Sequence, residues 1–304
     1  MTLPNFIIIG SERSGTTSLY QYLRQHFDVF MSAVKETNFF AYEEGPADRP
    51  WDFGRDPFPV KTLDEYRALF QGCRDEKAIG EASPAYFFSR HAAERIHRVI
   101  PDAKLIAILR NPVERAHSAY RLQVTRGLER RTFDQALQDE AERCDESVLR
   151  RYRFPGLYHQ HLGPYLELFD RSRIAFLLYD DLVVDAARLM RTLFEFLEVD
   201  PGFRPEVGTR YNSAHLPKKK ILRGLFQPSL LKSAIKTAFP DWALRRAYAA
   251  AERLKGRSEL EEELLREETR QSLLEEYRDD ILRLQDLLDR DLSGWLEVSA
   301  QSVD

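Results

Sequence analysis

Cysteine is scarce in this chain: 2 among 304 residues. Cys73 and Cys144 form neither a CxxC pair nor a Cys/His cluster, which argues against a zinc site and against a disulfide framework. No stretch reaches the roughly 18 consecutive apolar residues that a membrane-spanning helix needs. The opening Met1-Thr-Leu-Pro-Asn5 has neither the basic start nor the apolar run of a secretion signal, so the cytoplasm is the expected location. Positive charge is not in surplus either. With 45 Lys+Arg against 49 Asp+Glu the net charge is −4, so the chain as a whole is no binder of nucleic acid, and a basic site has to be local. Repeats and low-complexity tracts are absent, and no shift in composition marks a boundary. Residues 1–304 read as one domain, with 43% hydrophobic and 31% charged residues in an ordinary globular balance.

What is present is a rhythm of strands and helices. Phe6-Ile-Ile-Ile9 is a short, wholly apolar run of the kind a buried parallel strand shows. Gly10 to Thr17 is a Gly/Ser/Thr-rich turn, and from Ser18 the positions Leu19, Tyr22, Leu23 and His26 recur at helical spacing. A second strand is expected just before Lys35. Ala41 to Val60, with four prolines and two glycines, reads as a long loop. A helix follows over Asp64–Phe70, a strand over Lys77–Gly80, and a helix over Ala92–Ile100 stopped by Pro101. Leu105–Leu109 is the clearest strand, and Pro112 suits the first turn of the helix after it. Ile174–Leu178 is a further strand with a helix over Ala186–Leu197. Gly224 to Lys255 is amphipathic and mostly helical, and the residues leave its role open among a lid, a dimer contact and a docking patch. Ser272–Arg290 is an amphipathic helix with Leu273, Tyr277, Ile281, Leu284 and Leu288 on one face. Alternating strands and helices imply an α/β sandwich of three layers, a central parallel sheet flanked by helices, of the P-loop type.

The strand–Gly10-Ser-Glu-Arg-Ser-Gly-Thr-Thr17–helix arrangement is that of a phosphate loop, in which glycines let consecutive N–H groups face an anion at a helix start. Two features depart from a nucleotide-hydrolysing loop. Thr16 stands where the lysine of GK[ST] is required, and the cation is Arg13, inside the loop. The strand that should end in a magnesium-binding aspartate ends instead in Arg110. Kinase chemistry thereby loses its metal, and an anion site neutralised by side chains remains. Arg110, at a strand's carboxyl end, and Ser118, two turns into the next helix, make a second anion site. Arg90 to Arg131 carries ten Lys/Arg against four Asp/Glu. Among these Arg115, Arg121, Arg126 and Arg130 read as a solvated basic face. Lys218-Lys219-Lys220 with Arg223, following Tyr211-Asn-Ser-Ala-His215-Leu-Pro217, either closes over a ligand or is a solvated loop.

Together these segments resemble a family. Gly10 to Thr17, Lys35-Glu-Thr-Asn-Phe-Phe40, Gly80-Glu-Ala-Ser-Pro-Ala-Tyr86 and Ile108 to Ser118, in that order, are similar to the sulfotransferases that use 3′-phosphoadenosine-5′-phosphosulfate (PAPS). They look like bacterial members related to the heparan sulfate and carbohydrate branch. The similarity runs on through Gly156-Leu-Tyr158, the acidic turn to Asp181, Phe196-Leu197 and Asp291 to Leu296. The resemblance implies an in-line, metal-independent transfer of a sulfuryl group from PAPS to a hydroxyl-bearing acceptor, whether saccharide, lipid or small metabolite. It implies that Arg13, Ser14, Gly15, Thr16, Thr17 and Ser18 hold the 5′-phosphosulfate, and that Arg110 and Ser118 hold the 3′-phosphate. Tyr211, Lys218 and Lys219 are further candidates at the nucleotide. Glu36 is implied as the general base, with Arg13 assisting catalysis. Lys35, Glu81, Tyr86 and His215 are candidates at the acceptor, Glu81 as a group that orients Lys35 or Arg13. Trp51, Phe53 and Phe58 either anchor the long loop or stack on an acceptor, whereas His26 and His117 read as packed or solvated. Two departures stand out. Arg13 replaces the family's more usual lysine, and Glu81-Ala82 replaces the Glu-Lys of the glycosaminoglycan-modifying members. Two other readings of the same loop are an NTP-dependent kinase and a nucleotide-binding protein without turnover.

Overall fold

Five short strands carry the architecture of the computed structural model, which describes residues 2–42, 59–126, 128–129, 131–142, 152–207 and 265–297. They are β1 (Phe6–Gly10), β2 (Val29–Met31), β3 (Ala78–Ala82), β4 (Lys104–Leu109) and β5 (Ile174–Leu178). All pairings are parallel and the sheet order is β2-β3-β1-β4-β5. Every residue of β1 and of β3 is buried. That is the condition under which a continuous apolar run, rather than an alternating one, specifies a strand.

Successive side chains of β1 enter opposite layers, as the two-residue period of a strand requires. Phe6 and Ile8 pack with Leu19 and Leu23 of α1 (Thr16–Leu23) and with Met190 and Phe194 of a helix over Ala186–Phe196. Ile7 and Ile9 face the other layer with Ile96, Ala116, Leu162, Tyr165, Tyr277 and Ile281. In chain order the remaining α-helices among the described residues are α2 (Leu63–Ala68), α3 (Ala92–Val99), α4 (Pro112–Thr125), α5 (Phe133–Glu142), α6 (Tyr158–Leu168), α7 (Tyr179–Val184), α8 (Ala186–Phe196), α9 (Glu267–Leu288) and α10 (Ser293–Leu296). The three-layer reading holds. No helix among the described residues is long and apolar enough to cross a membrane.

Local chemistry accounts for the ends that matter. Pro112 opens α4, and the Asn111 side chain accepts from the backbone N–H of Val113 and Glu114 at 3.0 and 3.3 Å, satisfying donors that a helix start leaves over. At α1 the residue before the helix is Gly15, with φ +100° and no side-chain cap. The left-handed turn lets the helix begin at Thr16, two residues ahead of the apolar pattern. β2 lies earlier than expected and ends at Met31, because Ser32 turns the chain away, its N–H still bonded to Gly80 O at 2.9 Å and its hydroxyl to Val34 O at 3.0 Å. Lys35 and Glu36 therefore sit in a loop well past the strand. Residues 43–58 of the loop expected over Ala41 to Val60, and the stretch from Gly224 to Lys255, lie outside the described residues.

Candidate functional site

β1 is central, with β3 on one side and β4 on the other, so the chain leaves the sheet in different directions from adjacent carboxyl ends. Such a point opens a crevice in a parallel sheet. The loop after β1 is pinned to β4 by Ser11 N–H on Ile108 O at 2.8 Å. Its backbone is unusual. Arg13 has φ +64° and Gly15 φ +100°. A left-handed conformation at a non-glycine residue costs on the order of 1 kcal/mol and persists only where the surroundings impose it.

Ser11 and Ser14 are both fully buried and meet hydroxyl to hydroxyl at 2.6 Å. The Ser14 side chain thus points into the protein, which leaves its backbone to face the crevice. Thr16 and Ser18 are also buried, and Gly15 has no side chain to offer. These residues present backbone, at the uncapped start of α1, as an anion site at a helix N-terminus does. Thr17 is half-buried on the same turn.

The decisive contact joins the two predicted anion sites. Arg13 donates from Nε to Ser118 Oγ at 3.1 Å, across 105 positions of sequence. Arg110 leaves the end of β4 beside them, its guanidinium 4.8 Å from the Tyr179 ring centroid and 3.7 Å from Glu114. Tyr179 also lies 3.2 Å from where a Cβ on Gly15 would stand, so one ring touches both stations. Burial pulls the Arg13 pKa down, Glu12 opposes that, and Arg110, Arg126 and Arg115 add to it. Four guanidinium groups thus share one small region, which is costly unless an anion joins them.

Glu12 is the counterweight, and sequence reasoning passed over it. Burial raises its pKa, the charges of Arg115, Arg13 and Arg126 lower it, and Glu36 raises it. Glu36 is thereby in electrostatic reach of the loop. It adopts φ +65°, donates its N–H to Ala82 O at 2.9 Å, and its carboxylate meets Lys35 Nζ at 2.6 Å. The Glu36 side chain is 56% exposed against 18% for Lys35, so the carboxylate is open to a substrate.

Two expectations at the acceptor side are overturned. Glu81 contacts neither Lys35 nor Arg13. It is fully buried and receives the hydroxyls of Ser83 (2.7 Å), Tyr86 (2.7 Å), Thr37 (3.1 Å) and Tyr66 (3.2 Å). Tyr86 is equally buried. Neither side chain has surface on which an acceptor can lie. Arg115, read as part of a solvated face, is fully buried, donating to Tyr152 O. The one-in-3.6 spacing that places a residue on a helix face does not say which layer that face meets. Tyr158 was quoted only as part of a motif, yet its hydroxyl donates to Arg110 O at 2.8 Å. His26 is packed, as expected, against Phe194 and Phe203, and His117 against Phe133. Tyr211, His215, Lys218 and Lys219 lie outside the described residues. Among the described residues no three His, Cys, Asp or Glu side chains are gathered as a metal site.

Residues 3–213 match a family model described as "Sulfotransferase domain". A human heparan sulfate glucosamine 3-O-sulfotransferase 6 is 34% identical over 198 residues, 64% of this chain and 52% of that protein. A human carbohydrate sulfotransferase 15 is 29% identical over 250 residues, 66% of this chain and 44% of the other. The chain thus spans about half the length of these curated relatives. Among solved structures, a sulfotransferase from Alicyclobacillus acidocaldarius superposes with a TM-score of 0.73 at 29% identity, covering 98% of this chain and all of that one.

Proposed function

The chain belongs to the sulfotransferase family, and on that premise we propose that it moves a sulfuryl group from PAPS to a hydroxyl of a saccharide. The observation that carries the reading is the convergence of Arg13 and Ser118 at 3.1 Å with Arg110 beside them. Two stations of positive charge at the ends of adjacent strands suit a ligand with a phosphate at each end. The donor chemistry fits as well. Guanidinium groups bind phosphate oxygens in pairs, and the uncapped start of α1 adds backbone N–H groups.

In this reading Arg13 and the backbone of Ser14 to Ser18 hold the 5′-phosphosulfate, while Arg110 and Ser118 hold the 3′-phosphate. The bound donor supplies an activated sulfuryl group. Glu36 takes the proton of the acceptor hydroxyl as that oxygen engages sulfur, a step for which an exposed carboxylate beside the anion loop is suited. Arg13 and the loop N–H groups hold the negative charge that develops on the departing phosphate oxygen, and preorganised donors of this kind contribute about 3 kcal/mol each. Lys35, bonded to Glu36 at 2.6 Å, holds that carboxylate in place. The saccharide acceptor is carried over from the names of the relatives. Ala82 is fully buried, at the position where the resemblance led to a lysine in glycosaminoglycan-modifying members.

The test is transfer of ³⁵S from PAPS to a panel of desulfated and N-sulfated heparosan, chondroitin and simple glycosides, with and without EDTA. Transfer that persists in EDTA and falls at least about a hundredfold in Glu36→Gln supports the reading. Phosphoryl transfer from ATP that vanishes in EDTA refutes it, as does wild-type affinity for adenosine 3′,5′-bisphosphate (PAP) in Arg110→Ala.

A further inference from the structure

A carboxylate stands at the edge of the 3′ station, where negative charge works against a phosphate. Glu114 lies one helical turn beyond Arg110, and its Oε2 is 3.7 Å from the Arg110 guanidinium. The start of α4 fixes its place. The Glu114 N–H donates to Asn111 Oδ1 at 3.3 Å, and an acid in the first turn of a helix suits the positive end of the helix dipole. With no other cation in reach, such a carboxylate would close on Arg110 and cancel the charge that is to meet the ligand.

Another cation is in reach. Arg270 of α9 donates from Nη2 to Glu114 Oε1 at 2.5 Å, across 156 positions of sequence. The two oxygens are shared unequally, one tight to Arg270 and the other loose to Arg110. The Arg270 side chain is 9% exposed, against 22% for Arg110 and 35% for Glu114, so the tight pair is also the one less screened by solvent. The first turn of α9 is pinned to α5, where Arg266 meets Asp134 at 2.9 Å and Thr269 donates to the other oxygen of the same carboxylate. Leu273, Leu274 and Tyr277 bury the turns that follow. Arg270 is thereby held where it draws Glu114 away from the ligand. The Tyr179 ring, 4.8 Å from the Arg110 guanidinium, adds a contact that leaves the Arg110 charge in place.

We propose that Arg270 is a positioning residue for the nucleotide: by taking up the Glu114 charge it keeps Arg110 free to grip the 3′-phosphate. The inference rests on the reading of Arg110 as the ligand of that phosphate. Arg270 acts through Glu114, and this gives a signature that packing alone does not. Loss of the Arg270 charge turns Glu114 onto Arg110, and loss of the Glu114 charge as well undoes the damage. A nucleotide without the 3′-phosphate uses the 5′ loop alone and registers neither change.

The experiment is calorimetric binding of PAP and 5′-AMP to the full chain. The proteins are wild type, Arg270→Gln, Arg270→Lys, Glu114→Gln, the double variant Glu114→Gln with Arg270→Gln, and Arg110→Ala. Arg270→Gln, whose amide still donates to Glu114, is expected to weaken PAP roughly five- to tenfold and 5′-AMP by less than about twofold. Arg270→Lys keeps a charge, on a compact ammonium, and is expected to stay within about threefold of wild type for PAP. Glu114→Gln should bind PAP at least as tightly as wild type, and the double variant should lie within about twofold of Glu114→Gln. A double variant as weak as Arg270→Gln overturns the proposal. So does a parallel loss of PAP and 5′-AMP, or an unchanged PAP affinity in Arg270→Gln. Removing one partner of a sheltered ion pair can unfold a chain. Should Arg270→Gln do so, the Glu114→Gln background decides: equal PAP affinity on replacing Arg270 there supports the proposal, and a further loss overturns it. Wild-type PAP affinity in Arg110→Ala instead sinks the assignment of the 3′-phosphate, and the inference with it.

Discussion

Replacing Glu81 is the perturbation whose size the structure fixes best. Four hydroxyls donate to its two oxygens, those of Tyr66 and Tyr86 to Oε1 and those of Thr37 and Ser83 to Oε2. Hydrogen bonds to a charged acceptor are worth roughly 1.5–3 kcal/mol each, so the gross loss runs to about 6–12 kcal/mol. Burial offsets much of it, since it is the leading influence on this carboxyl and raises its pKa. A net cost of about 3–5 kcal/mol for Glu81→Ala follows, in line with breaking other buried charged clusters. Glu81→Gln keeps the volume and one acceptor, and about 1–3 kcal/mol is expected. The consequence for chemistry runs through Thr37. It sits between Glu36 at φ +65° and Asn38 at φ +50°, and Asn38 N–H is held by Ser83 Oγ at 3.1 Å. With the anchor weakened, the chain there relaxes toward ordinary dihedrals and Glu36 loses its aim. Urea unfolding, PAP calorimetry and ³⁵S transfer together form the assay. Glu81→Gln should unfold earlier in urea and turn over at least about tenfold more slowly while binding PAP as tightly as wild type. Unchanged stability with unchanged turnover would refute the reasoning, and so would a loss of PAP affinity parallel to the loss of turnover.

Four further outcomes follow from single sites. Burial holds the His161 pKa down at about 4 against an ordinary 6.5, with Nε2 on Phe154 O at 2.8 Å. The unfolded chain takes up this proton first as pH falls, so about 3 kcal/mol of stability is present above pH ~6.5 and lost between there and pH ~4. Urea midpoints across that window should flatten in His161→Gln, and an unchanged slope would contradict it. Glu81 runs the other way. Its raised native pKa makes stability fall as pH rises from the unfolded carboxyl value through the folded one, and Glu81→Gln should remove that slope. In the sheet, a Cβ on Gly80 would stand 2.3–2.5 Å from ring atoms of Phe6, its partner on β1. Gly80→Ala should cost about 3 kcal/mol or more, with Phe6→Leu restoring part of it in the urea midpoint. At α2, Thr62 and Glu65 form a reciprocal capping box, and Thr62→Ala should cost about 1 kcal/mol of stability with turnover unaltered.

The sheet and its helices were legible because their signals are local. A run such as Leu105–Leu109 has to be buried on both faces wherever the chain carries it, and the apolar face of Leu273, Tyr277, Ile281, Leu284 and Leu288 needs only 3.6-residue geometry to declare itself. The glycine-bearing loop between β1 and α1 was legible for the same reason, since glycine placement and the following helix lie within a few residues. Boundaries moved where a left-handed residue or a side-chain turn decided them, as at Gly15 and Ser32.

Local pattern, then, dictated the elements, their parallel order of alternation and the two arginines at strand ends. Packing decided everything that depends on which groups meet across the chain. The Arg13–Ser118 bond spans 105 positions, and Glu81 collects hydroxyls from both sides of its own strand. Arg115 went to the interior although its charge spoke for solvent. A charged or hydroxyl side chain is satisfied equally well by water or by a buried partner. Only the close-packed interior, where an unpaired polar atom costs so much more than an exposed one, settles which of the two it takes.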